Sequence, residues 1–226
     1  MYNKNRILSL LYKCIIIMVA AIGLYLNSGM PNGKFASAMF LYYTILSNLF
    51  CLLYFIVACI VVVQRIRKDG IYGESTWAIH AKGAVIMAIT VTLLIYWFIL
   101  VGAGFEMGEG TSPLANLIVH LFVPVLSILD WVIFDIKGQL NRFDPFKWLI
   151  IPLCYYVFTV IAAKLGMTFY NGSHYPYFFI DSDILGWGTV MLSVLGLAVA
   201  FLVIGYIVFA MDKILCIWRN KIERIK

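Results

Sequence analysis

The chain has 226 residues, of which 63% are hydrophobic and 12% charged, with a formal net charge of +6. So few charges cannot coat a soluble domain of this size. The composition excludes a soluble globular protein and predicts an all-α integral membrane protein, a single transmembrane domain over residues 1–226.

Six apolar stretches are long enough to cross a hydrocarbon core of about 30 Å: residues 7–26, 37–63, 84–105, 113–134, 148–165 and 188–211. The fifth is the shortest. The first follows a basic start, as a signal peptide would. Its apolar run is too long for that, and the cleavage-like triplet Ala36-Ser37-Ala38 lies too far beyond it, so a retained span is expected. Lys13 sits within this span. The second span carries Thr44, with Ser47 and Asn48 three and four residues on and therefore on its face. The fourth carries His120, which shares a face with Pro124 and Ser127, and then Asp130. The connection before the sixth span is aromatic, "HYPYFFID". It fits an interfacial belt or a lid over a cavity. Asn171-Gly172-Ser173 forms a glycosylation acceptor pattern. The tail "DKILCIWRNKIERIK" alternates apolar and basic residues, as a helix extending span six and then following a membrane surface would.

Of the 17 Lys and Arg residues, all but Lys13, Lys34 and Lys164 fall on one side if the spans alternate. The positive-inside rule makes that side cytoplasmic. Both termini are then cytoplasmic, residues 106–112 and 167–187 lie outside, and the location is the cell membrane, multi-pass. The net charge is a topology signal and implies no nucleic-acid partner. The five cysteines are scattered and odd in number, and no two of the three histidines share a helix face. No metal, haem or other cofactor is expected.

Spans two and four run in the same direction, so depths along them compare directly. Thr44 is seven residues past Ser37 and His120 seven past Pro113. At 1.5 Å per residue both lie about 10 Å below the outer edge. A hydroxyl and an imidazole thus share a layer on parallel helices. A lone Ser or Thr in a span commonly bonds the carbonyl one turn back and needs no further role. An intramembrane His is a functional candidate by default. Asp130 lies about 15 Å deeper than His120 by helical rise, too far to complete a triad. Its depth matches Lys13, read here as the one basic residue inside a cytoplasmic half-span. A structural Lys13–Asp130 ion pair is expected, with a charge swap restoring folding better than either single change.

"YYTILSNLF", "HLFVPVLSILDW" and "YPYFFID" occur in this order in a six-span chain. This combination resembles the androgen-induced and androgen-dependent TFPI-regulating membrane proteins and their bacterial relatives. The resemblance implies hydrolysis of fatty acid esters of hydroxy fatty acids, with Thr44 as nucleophile and His120 as its partner. It also matches Pro124, with slightly different spacing, and Asp130, Tyr175-Pro176 and Asp181. Departures are Ser47, where animal members carry an acid, and Trp131, which is not shared.

A Thr hydroxyl needs a base to take its proton as it attacks. His120 fits that role. Tyr43, Ser47 and Asn48 are candidate oxyanion donors, and Tyr175 and Asp181 are candidates from the outer connection. The expected partner is a membrane lipid or fatty acid ester substrate. Two other readings stay open: a noncatalytic lipid-binding membrane protein, and a small carrier using His120 and Asp130 as relay sites.

Overall fold

The computed structural model describes residues 3–104, 112–169 and 172–225, with the backbone alone for 222–225. Residues 105–111, within an expected outer connection, and Asn171 of the acceptor pattern lie outside the described residues. Six helices are long and apolar enough to span a membrane: α1 (Arg6–Asn27), α2 (Tyr43–Asp69), α3 (Ile79–Leu100), α4 (Pro113–Phe134), α5 (Asp144–Lys164) and α6 (Ser182–Ile225). There is no strand among the described residues. The chain is an all-α, multi-pass membrane protein.

Local chemistry sets the helix ends, and several differ from the apolar boundaries. Residues 37–41 form a 3-10 turn, so α2 begins at Tyr43 rather than 37. It continues to Asp69 and stops at Gly70, with Arg67 and Lys68 in a last turn that favours cations. At the other end of that connection, α3 begins at Ile79 rather than 84. This takes Lys82 into a helix and corrects the view that Lys13 is the sole basic residue in its half-span. Asp144 and Pro145 start α5 earlier than 148, as an acid in the first turn and a Pro with no N–H to lose allow. Asp181 caps α6 by accepting from the backbone N–H of Asp183 and Ile184. The tail continues α6 as helix through Ile225, and Gly186, at φ 72°, kinks its first turns. Apolarity marks where lipid lies. Caps and glycines mark where the hydrogen-bond ladder starts and stops, so the two sets of boundaries need not coincide.

Helices α1 to α4 form the centre. Gly23 lets α1 approach α4: a Cβ there would stand 2.6 Å from Ile118 Cγ2. Gly83 similarly admits the Trp148 ring. The helices α5 and α6 lie outside this group, with Ile161, Leu192, Leu195 and Val203 exposed, as lipid-facing residues would be.

A buried charge cluster ties together the end of the bundle that bears the termini. Lys13 Nζ is 2.8 Å from Asp130 Oδ1, and Lys82 Nζ is 2.6 Å from Asp130 Oδ2 and 3.6 Å from Asp135 Oδ2. Lys13 also donates to Ser9 Oγ, and Lys82 lies 4.1 Å from the centre of the Phe55 ring. Thr76 donates to the second Asp135 oxygen at 3.0 Å. In the adjoining connection, Lys137 donates to the Trp131 and Asp135 carbonyls. Burial pulls the Lys137 ammonium down to about 8 against Asp135 and Asp212, so it keeps its charge at neutral pH. The expected Lys13–Asp130 contact is therefore present as part of a larger network, with Asp130 held by two ammonium groups from two other helices.

Candidate functional site

Thr44 lies in the first turn of α2, and His120 lies in α4, within a π-helical turn over Ile118–Phe122. Thr44 is 4% exposed and His120 fully buried. Their side chains meet, with Thr44 Oγ1 3.1 Å from His120 Nε2. The other ring nitrogen, Nδ1, is 3.0 Å from the Asn116 carbonyl oxygen. A carbonyl only accepts, so Nδ1 carries the proton and Nε2 is left as the acceptor. Thr44 therefore donates to His120. A hydroxyl donating to a neutral imidazole can pass its proton as its oxygen attacks an electrophile.

The imidazole is clamped. Tyr96 stacks on it with centroids 3.7 Å apart and planes 16° apart. The Asn116 side chain donates to the Tyr96 hydroxyl at 3.0 Å, so one residue helps hold the ring from both sides. Tyr96 opens a second π-helical turn, over Tyr96–Leu100. Such turns often mark functional positions, because one extra residue re-aims the side chains beyond it.

Ser47 and Asn48 sit beside this pair. Asn48 donates to the Thr44 carbonyl at 2.8 Å and the Val119 carbonyl at 3.1 Å, joining α2 to α4. Ser47 donates to the Thr44 carbonyl and pairs with Thr92 Oγ1 at 2.6 Å. Their donors are engaged in fixing the backbone that carries Thr44. Tyr43 is also buried, and its hydroxyl has no hydrogen-bond partner among the described residues.

The two candidates from the aromatic connection are elsewhere. Tyr175 pairs with Ser182 Oγ at 2.6 Å. Asp181 caps α6 and accepts from Ser173 Oγ at 2.8 Å. Both shape the connection rather than meeting Thr44. The residue that does is Tyr177, whose phenol hydrogen-bonds with the Thr44 and Tyr155 side chains and accepts from the backbone N–H groups of Tyr43 and Thr44. Asn116 was findable in the sequence as the residue one turn before His120. Tyr96 was not, because its π-helical turn breaks the helical period.

A cavity of about 700 Å³, including the space at its mouth, lies between α2, α3, α5 and α6. Thr44 reaches its wall, with Tyr43, Tyr96, Tyr155 and Tyr177 around it and Phe201 among the apolar residues beyond. The cavity exists because α5 and α6 stand away from the central helices. Its polar groups gather where Thr44 is, and its remaining walls are aliphatic and aromatic. That pattern suits a ligand with one polar centre and a long apolar part. No known protein family matches this chain, and no curated protein or solved structure matches it either.

Proposed function

We propose that this chain is an intramembrane lipid ester hydrolase, with Thr44 as nucleophile and His120 as general base. The observation that carries the reading is the 3.1 Å Thr44–His120 contact, with the imidazole held in the tautomer that accepts the Thr44 proton. Thr44 Oγ1 attacks the ester carbonyl carbon while His120 Nε2 takes its proton. The tetrahedral intermediate collapses, and the same proton passes to the leaving alkoxide, releasing an alcohol. Water then attacks the Thr44 ester, again giving its proton to Nε2, and hydrolysis frees the fatty acid and restores the Thr44 hydroxyl. The acyl chain lies in the apolar cavity. The family resemblance makes fatty acid esters of hydroxy fatty acids the substrate class to test first.

Chain-length selectivity is one measure of this assignment. Ala198 lines the cavity. Ala198→Phe is expected to lower kcat/KM for p-nitrophenyl palmitate about tenfold or more relative to the butyrate ester, by removing space for several methylenes. Equal loss on both esters would remove the acyl chain from this cavity. The noncatalytic lipid-binding reading uses the same cavity. It predicts retained lipid binding and no turnover by the unaltered protein.

In the same proposal the chain sits in the cell membrane with cytoplasmic termini, and Thr44 lies in the outer half. Basic residues at the end bearing the termini support this orientation. After replacement of the native cysteines, Lys34→Cys is expected to react with a membrane-impermeant maleimide on intact cells. Lys68→Cys is expected to react only after permeabilisation. The opposite pattern would invert the orientation and move the site to the inner half.

A further inference from the structure

We propose that Tyr177 is a further catalytic residue of the hydrolase read above, its hydroxyl donating to the oxyanion that forms when Thr44 attacks the ester carbonyl. This rests on the Thr44–His120 reading and adds the donor that the reading lacks.

The first turn of a helix leaves backbone N–H groups without intrahelical partners. In α2 the first helical bond runs from Leu46 N to the Tyr42 carbonyl, and among the described residues Tyr42 supplies no side-chain cap. The N–H groups of Tyr43 and Thr44 meet the Tyr177 phenol oxygen instead. That phenol comes from the connection before α6 and is buried, at 6% exposure. Its ring is fixed by stacking on Phe179 at 5.3 Å, with planes 10° apart, and by the Tyr42 edge at 6.3 Å. The donor is thus in place before substrate arrives, which is what makes an oxyanion contact effective.

The direction of the hydroxyl follows from proton accounting. Tyr177 meets two hydroxyls, those of Thr44 and Tyr155. The Tyr155 proton goes to the Leu41 carbonyl at 2.9 Å, and the Thr44 proton goes to His120 Nε2. Both oxygens can then only accept from Tyr177. Its phenol oxygen in turn accepts the α2 amides, at the positive end of a helix, and this polarises its O–H. The oxygen of an ester carbonyl attacked by Thr44 is two bonds from Oγ1. It therefore falls within reach of a hydroxyl already hydrogen-bonded to Oγ1. As Oγ1 becomes an ester oxygen it is a poorer acceptor, and the developing oxyanion becomes the better partner for the Tyr177 proton. Burial pushes the phenol up to about 12, so the proton is present throughout the working pH range.

The amide of Asn48 and the hydroxyl of Ser47 already have partners. Tyr43, on the cavity wall, is the remaining competitor and serves as the comparator.

The test uses full-length protein in detergent micelles with p-nitrophenyl decanoate. Tyr177→Phe removes one oxygen and is expected to lower kcat by roughly 100- to 1,000-fold, with KM and the melting temperature nearly unchanged. Tyr43→Phe is expected to stay within a few-fold of the unaltered protein. A second variant covers the case in which Tyr177→Phe does not fold. A fluorinated tyrosine at position 177 keeps the shape and ionises at lower pH. An ionised phenol cannot donate, so kcat is expected to gain a new decline as pH rises through that ionisation. A merely structural Tyr177 would not move this profile. Full activity in Tyr177→Phe, an unchanged profile, or a large loss confined to Tyr43→Phe overturns the inference while Thr44→Ala remains inactive. Equal activity of the unaltered protein and Thr44→Ala overturns the parent reading instead.

Discussion

Thr44→Ala and His120→Ala are each expected to lower ester turnover by at least about 1,000-fold, and the double variant to lose little more. The reason is that the two groups act in one step. Without the hydroxyl there is no nucleophile, and without Nε2 its proton has no acceptor. Thr44→Ser keeps the hydroxyl and is expected to retain measurable turnover. It loses the methyl group that helps fix χ1, so part of the activity goes. His120→Gln keeps a polar group of similar reach but no base, and is expected to behave like His120→Ala. The measurement is release of p-nitrophenol from a long-chain ester, repeated on a fatty acid ester of a hydroxy fatty acid. Full turnover by His120→Ala would sink the mechanism. An additive loss in the double variant would mean that the two residues act separately, and would leave their 3.1 Å contact as packing.

The pairing of Thr44 with His120 was legible because bilayer thickness, not helix length, sets the apolar runs. Ser37 is not the first residue of α2, which starts at Tyr43. Counting from the two apolar edges still placed both side chains in one layer, since the 3-10 turn over 37–41 also advances along the span. The rest of the site was hidden for three physical reasons. Tyr177 comes from a connection, where no period reveals facing. Tyr96 lies in a π-helical turn, where the 3.6-residue period fails. The Asn48 and Ser47 donors look available in sequence, but nearby backbone carbonyls engage them. Lys82 was misplaced because it precedes the apolar run that begins at Ala84, while α3 starts at Ile79.

Lys82 changes what is expected of the charge cluster. A swap of Lys13 with Asp130 no longer restores a pair, because the new Lys at 130 would face Lys82. Asp130→Asn is expected to be the most damaging single change in the cluster. It leaves two buried ammonium groups sharing a neutral amide, and breaking a buried ion pair costs about 3–5 kcal/mol. Lys13→Met is expected to be mildest, since Asp130 keeps Lys82 at 2.6 Å. Lys82→Met falls between, because it strips Asp135 of its 3.6 Å cation as well as one partner of Asp130. An all-apolar triple variant, Lys13→Met, Lys82→Met and Asp130→Leu, is expected to recover much of the loss. It leaves no member of the triad charged, and apolar replacements of buried ion groups are often neutral or better. Thermal unfolding in detergent, followed by loss of the monodisperse species, gives the order. Equal melting temperatures for Lys13→Met and Asp130→Asn would show that the two ammonium groups do not depend on Asp130. The cluster would then be held by the ring contacts of Lys82 with Phe55 and Tyr54, at 4.1 and 5.1 Å, rather than by the carboxylate.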